Sequence, residues 1–359
     1  MILGQTVSGR YQVGEHIGRG GMQDVYRARD LLLQIDVALK TPQPGQATRR
    51  FKQSAILAAR VNHYNVAKTY DYIEENGAVY LVEEFVPGET LEAKIARYHI
   101  LDPYLGALVL HHLAKGVAAS HHAGVVHRDL KPSNVMTEPG INIRALKVTD
   151  FGIATLTNDL FEEAANDGNL TLSTSGTIRG ALPFMAPEMM FRQPGEHPGK
   201  PADIWSIGAM MFRLLAGDYP FGVYLEAAVN VKNRERKEWP KFMTRKPQFN
   251  LLSLELQEVV DKCLSYDPAD RPTADQLVSL CGSLCYSTAE RIECKLQNMI
   301  QGGYSGLLTS KRGKLFFSMK SVYGLKSPNE SENTSVSVSR YPGTPYDRAH
   351  PVLVIAPKP

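Results

Sequence analysis

The chain has 359 residues, 43% of them hydrophobic, and its 40 basic and 37 acidic side chains leave a net charge of +3. That length supports two lobes around a large buried core. The near-balance of charge gives no reason to expect nucleic acid as a partner, and no apolar run approaches the roughly 20 residues that span a bilayer.

In chain order, residues 11–40 alternate as strands, with Val13, Ile17, Val25, Val37 and Leu39 as strand formers and Gly18-Arg19-Gly20-Gly21 as the break. Residues 50–61 carry Phe51, Ile56, Leu57 and Val61 near helical spacing. Residues 66–86 return to strand character around a turn at Glu75-Asn76-Gly77. After Pro87-Gly88 the chain turns helical, over 105–122, 204–215 and 251–264. Beyond residue 318 it is rich in Ser, Pro, Asn and Tyr, which predicts disorder or an extended peptide. Residues 302–326 carry Lys311, Arg312, Lys314, Lys320 and Lys326 without an acid, which reads as a solvated basic linker.

Cys263, Cys281, Cys285 and Cys294 come late and form no Cys-x-x-Cys pair, so buried thiols in a reducing compartment are expected rather than disulfides. The first residues show no basic region followed by a long apolar core, so a cytoplasmic protein is expected. His111-His112 and His121-His122 read as helix-surface or packing residues rather than metal ligands.

Four motifs carry chemistry. Gly18-Arg19-Gly20-Gly21-Met22-Gln23-Asp24-Val25 places glycines between two strands, where backbone amides can approach phosphate oxygens. Alone it is no more than a hairpin signal. Val37-Ala38-Leu39-Lys40 ends an apolar strand on a lysine suited to nucleotide phosphates. His127-Arg128-Asp129-Leu130-Lys131-Pro132-Ser133-Asn134 is the most specific string. In it Asp129 can take a hydroxyl proton, Lys131 can neutralise developing phosphoryl charge, and Asn134 can supply an oxygen to a metal. Asp150-Phe151-Gly152 offers a second metal-holding carboxylate, and Ala186-Pro187-Glu188 follows it.

Over residues 11–284 the chain resembles the eukaryotic-type Ser/Thr protein kinases, in their bacterial branch. The likeness includes Asp203-Ile204-Trp205-Ser206-Ile207-Gly208 and Asp267-Pro268-Ala269-Asp270-Arg271-Pro272. It implies an α+β, two-lobed fold: a lead over 1–10, a β-rich lobe over 11–86, a helical lobe over 87–285 and a partly disordered tail over 286–359. It also implies ATP and Mg2+ as cofactors, protein hydroxyls as acceptors, and self-association for autophosphorylation. By the resemblance Ile17, Val25, Ala38 and Met136 sandwich the adenine, and the linker Glu84-Phe85-Val86 bonds its edge. Gly18, Gly20 and Lys40 meet the phosphates, and Asn134 and Asp150 hold the metal. Asp203 anchors the catalytic loop and Arg271 pairs with Glu188. Arg128 meets a phosphorylated segment containing Thr171, Ser173, Thr174, Ser175 and Thr177.

The sequence departs from that pattern at four positions. Gln23 stands where a third phosphate-loop glycine belongs. Ser54 stands where the helix after Lys40 carries a glutamate, and no acid occurs between residues 41 and 70. Glu83 stands where an apolar residue precedes the interlobe linker. Either it replaces the missing glutamate as the partner of Lys40, or it turns to solvent in a displaced register. Ala181 stands where a threonine hydroxyl bridges the catalytic pair, which predicts a looser hold on Asp129. These departures keep two alternatives open: a nucleotide-binding scaffold of low activity and, further off, a small-molecule phosphotransferase.

Overall fold

The computed structural model describes residues 3–19, 23–43, 48–151, 180–193, 196, 198–329 and 334–356, without the side chains of 48–50 and 54. Gly20, Gly152, the side chain of Ser54 and the five Ser and Thr residues of the segment after Gly152 therefore lie outside the described residues.

The first lobe is an antiparallel sheet of β1 (Thr6–Val7), β2 (Tyr11–Arg19), β3 (Gln23–Asp30), β4 (Ile35–Pro42), β5 (Thr69–Glu75) and β6 (Ala78–Glu84). Their spatial order is β1-β2-β3-β4-β6-β5. Asn76 and Gly77 both take positive φ (51° and 76°), which gives the two-residue loop that matches the twist of a hairpin. Val37 and Leu39 point into a cluster with Tyr11, Val13, Tyr80 and Val82. The period of two sends Ala38 and Lys40 to the opposite face. There α1 (Thr48–Ala58) packs Phe51 and Ala55 on Val79 and Leu81.

The second lobe is helical, with α2 (Leu91–Tyr98), α3 (Pro103–His122), α4 (Pro187–Met190), α5 (Pro201–Ala216), α6 (Tyr224–Asn233), α7 (Pro247–Cys263) and α8 (Ala274–Ser283). A small sheet of β7 (Glu89–Thr90), β8 (Val135–Thr137) and β9 (Leu146–Val148) lies beneath the cleft. Helices α3 and α5 are apolar on most of their circumference and form the centre of the core. Asp102 caps α3 by accepting from the Tyr104 and Leu105 amides, and Pro103 fills the first helical position.

The tail corrects the sequence reading. It is neither disordered nor a basic linker over its described length. It forms β10 (Arg291–Ile300), β11 (Ser305–Ser310), β12 (Gly313–Ser318), β13 (Val322–Tyr323), β14 (Ser335–Tyr341) and β15 (Asp347–Ile355). The serines that suggested disorder alternate as Ser335-Val336-Ser337-Val338-Ser339. Pairing of β12 with β15 closes the sheet into a barrel; the valines enter its core, the serines are buried on the other face, and Ser337 meets the helical lobe. Ser337 Oγ lies 3.0 Å from the Tyr98 hydroxyl, which itself donates to the Ile141 carbonyl. Small hydroxylated side chains thus allow a close sheet-to-helix approach and satisfy a buried phenol.

Several buried contacts join the barrel to the helical lobe. Arg291 Nη2 reaches both Asp102 carboxylate oxygens at 2.8 Å. The Asn142 side chain pairs with both backbone groups of Arg291. Phe249 contacts Tyr323 and stacks on His350, with ring centroids 4.9 and 5.3 Å away. Tyr323, Leu353 and Ile355 belong to the core of the helical lobe. Replacing Arg291 by Ala would leave Asp102 buried without its cation. The expected loss is about 3–5 kcal/mol, read as a lower urea midpoint. An unchanged midpoint would show that the capping bonds of Asp102 suffice without the arginine.

Candidate active site

Between the lobes lies a cleft of about 880 Å³. It is lined by Ile17, Gly18, Val25, Ala38, Lys40, Glu83, Glu84, Val86, Asp129, Lys131, Asn134, Met136 and Asp150. Every sequence-predicted site residue that the structure describes therefore faces one cavity, of a size suited to a small-molecule ligand.

The register of β4 against β6 places the charged groups at its back. Ala38 pairs with Glu83 and Lys40 pairs with Leu81. Paired residues of an antiparallel sheet share a face, so Glu83 is the diagonal neighbour of Lys40 and within reach of a long side chain. Their side chains form an ion pair, and the residues are only 5% and 3% exposed. This settles the register in favour of Glu83 facing Lys40. Lys40 Nζ also contacts Asp150 Oδ1 at 2.8 Å.

One ammonium thus serves two buried carboxylates. Burial alone would lower the Lys40 pKa, but Asp150 and Glu83 together raise it above its ordinary value. Burial likewise opposes ionisation of Asp150, yet Lys40 holds its pKa below the usual carboxylate range. Burial pushes Glu83 upward, and its attraction to Lys40 only partly offsets this. Two anions on one cation leave an excess negative charge at the cavity wall, which favours an arriving cation.

Gln23 Nε2 donates to Asp150 Oδ1 at 2.6 Å. The sequence reading treated Gln23 only as a lost glycine. No local pattern signals this contact: Gln23 opens β3, and the folded cleft brings its amide to the carboxylate. The glutamine is buried.

The catalytic loop is held from below by Asp203, in the first turn of α5. Its carboxylate accepts from the backbone amides of His127 (2.8 Å) and Arg128 (2.7 Å), and pairs with His121 Nε2 at 2.9 Å. A helix N-terminus favours a carboxylate at that position. With these bonds made, Arg128 holds φ 63° and Asp150 holds φ 62°, a backbone region that non-glycine residues seldom adopt. Asp129 then presents its carboxylate to the cleft. Lys131 Nζ contacts it at 2.8 Å, and Asn134 Nδ2 donates to its Oδ2 at 3.1 Å and its carbonyl at 2.8 Å. That use of the amide nitrogen directs the Asn134 oxygen the other way. Asn134 and Asp150 are hard oxygen donors, the kind that Mg2+ accepts beside phosphate and water.

Ala181 is buried and supplies no bridging hydroxyl, but Lys131 meets Asp129 directly. Arg271 binds Glu188 through Nη1 and Nη2, at 2.7 and 2.9 Å, and fixes Glu188 against the helical lobe. Arg128 Nε donates to the Pro198 carbonyl at 3.1 Å. At the other end of the cleft Val86 follows β6, and its N–H makes no hydrogen bond among the described residues, so an edge-on donor is available there.

The comparisons with known proteins agree with this geometry. The family model described as "Protein kinase domain" matches residues 11–280. The chain is 30% identical over 302 residues to the serine/threonine-protein kinase PrkC of Bacillus subtilis (strain 168), covering 83% of this chain and 41% of that protein. It is 31% identical over 279 residues to the serine/threonine-protein kinase pkn3 of Myxococcus xanthus, covering 76% and 49%. It is also 31% identical over 280 residues to the serine/threonine-protein kinase PknB of Mycobacterium tuberculosis, covering 76% and 42%. The chain spans less than half the length of each of these relatives. The matched range takes in both lobes and every described residue of the cleft, and the chain belongs to the protein kinase family.

Proposed function

We propose that the chain is a serine/threonine protein kinase that uses ATP and Mg2+. The observation that carries this reading is the convergence of Asp129, Lys131, Asn134 and Asp150 on one cleft whose back wall carries the Lys40 ion pair. ATP supplies the transferable phosphoryl group and Mg2+ the charge that offsets its oxygens. Asn134 and Asp150 would hold the metal, Lys40 the phosphates, and Glu84 and Val86 the base.

The protein's own part is positioning and charge. Asp129 accepts the proton of the incoming hydroxyl and aims its oxygen. Lys131 stands beside Asp129 and neutralises charge on the transferring group. Glu83 keeps Lys40 from folding wholly onto Asp150. The relatives' names support Ser and Thr as acceptors, as does Lys131 in the catalytic loop. Transfer between associated copies to Thr171, Ser173, Thr174, Ser175 or Thr177, with Arg128 meeting the product phosphate, belongs to the same reading, as does a cytoplasmic location. No described helix is long and apolar enough to cross a membrane.

Asp129→Asn keeps the shape of the site and removes the proton acceptor. Transfer of radiolabelled γ-phosphate to the protein itself and to a generic protein substrate should fall by at least about 100-fold, with ATP binding retained. Equal incorporation by both proteins would overturn the kinase reading in favour of a scaffold.

Glu83→Gln separates stability from function. The Glu83 pKa is raised in the fold, so its contribution to stability is fully present below its unfolded pKa and is lost as pH rises through the folded one. At pH above that range the glutamine variant should melt no lower than wild type, and the difference should shrink on acidification. Its turnover should fall about tenfold or more, because Lys40 loses the charge that orients it. Unchanged turnover with a lowered melting temperature would assign Glu83 a purely structural role.

A further inference from the structure

The tail barrel has a connectivity of its own. Strands β10, β11 and β12 form an antiparallel meander, β14 and β15 pair antiparallel, β14 returns to β10, and β12 meets β15 in parallel. The two-residue β13 follows β12 and pairs with β15 in the same parallel sense, so with β12 and β13 counted as one strand the order around the barrel is first, second, third, fifth, fourth. This is the five-stranded Greek-key barrel of the OB type, whose ligand face is formed by the second and third strands and by the loops from first to second and from fourth to fifth.

Here that face is β11 and β12. Leu308, Leu315 and Phe317 are buried in the barrel, so their neighbours Thr309, Lys314 and Phe316 point outward. The register arranges the outward groups in two rows. Lys295, Thr309 and Lys314 form one, and Leu307, Phe316 and Arg348 form the other. The Arg348 guanidinium lies 4.5 Å over the Phe316 ring. A tyrosine borders each end. Tyr304, 78% exposed, precedes β11, and its carbonyl accepts from Met319 just past β12. Tyr346 precedes Asp347, which pairs with Leu315 near the start of β12. From residue 294 to 329 the sequence has six basic residues and no acid. Lys295 and Lys314 are both exposed.

We propose that this face binds single-stranded nucleic acid, with the lysine row on the phosphates and bases stacked on Phe316 and on the tyrosines at each end. The exposed Tyr304 and the half-buried Phe316, interleaved with cations, fit a chain of bases that are already unstacked. A duplex offers only its phosphates to such a surface, and a sulfated polysaccharide would use the lysine row alone.

The test uses the full chain and fluorescein-labelled oligonucleotides of about 15 residues, dT and U. A duplex of the same length and heparin serve as competitors, and anisotropy is read at about 50 and 200 mM salt. Binding of either single strand should weaken about sevenfold between the two salts if Lys295 and Lys314 each neutralise one phosphate. Comparing dT with U tells which nucleic acid is preferred. The Lys295→Glu, Lys314→Glu double variant should bind at least about tenfold more weakly with a flatter salt dependence. Phe316→Ala should lose about tenfold with the salt dependence retained. Melting temperature and phosphate transfer report folding, and Tyr304→Ala, in an exposed loop, replaces any variant that fails to fold. No binding at the lower salt would overturn the proposal. Affinity untouched by both ring variants would overturn it too, as would equal preference for heparin or duplex, which marks a plain polyanion surface.

Discussion

One buried ammonium between two buried carboxylates sets the character of the cleft. Asp150 and Glu83 hold Lys40 in its charged form, and losing the ammonium would leave both buried carboxylates without a cation. The geometry of this trio comes from strand register alone: Glu83 reaches Lys40 because β4 and β6 pair with Ala38 opposite Glu83. The helix α1 covers Leu81 and Val79 with Phe51 and Ala55, and this contact is apolar. Orientation of the lysine thus rests on backbone ladder bonds inside a sheet. A displacement of α1 that would break a helix-borne ion pair leaves this one intact.

The lower half of the site depends on a different anchor. Asp203 has no exposed surface and accepts two backbone amides from the loop that carries Asp129. Those bonds hold Arg128 and its neighbours in a conformation that the free chain would rarely visit. The trio fixes the sheet side and Asp203 fixes the helical side. Their meeting point is Asp150, which touches Lys40 above and follows Thr149, whose carbonyl bonds His127 below. Phosphoryl transfer needs such placement more than it needs covalent chemistry.

Much of this was legible in the sequence because the motifs specify chemistry at fixed offsets. The two lobes, the cleft residues, the Asp203 anchor and the Arg271–Glu188 pair are what the resemblance carried by those strings implies. Glu83 was legible as one of two alternatives, partner of Lys40 or turned to solvent, since its face depends on a register that no local pattern determines. Gln23 was not legible as a partner of Asp150, because the two are 127 residues apart and only the folded cleft brings them together. The tail was misread for a physical reason. Alternating Ser and Val has the period of a strand, but the composition of a disordered segment, and Ser337 is buried where Tyr98 of the helical lobe meets it. Whole-chain charge hid the tail in another way, since a local excess of cations is averaged out by the acids of the kinase lobes.

The barrel and the catalytic loop are joined through a single helix. Asp102 caps the start of α3 and is held by Arg291 from the barrel, while His121 near the end of α3 bonds Asp203, which holds the amides of His127 and Arg128. The helix has 20 residues, so about 30 Å of rigid backbone separates the two anchors. Both ends are buried ion-pair or charge-assisted contacts, and both resist partial rearrangement because a half-broken pair leaves a charge in the core. The barrel therefore belongs to the framework that sets the catalytic loop, and a segment that composition alone assigns to a loose tail contributes to the stability of the site more than 100 residues before it in the chain.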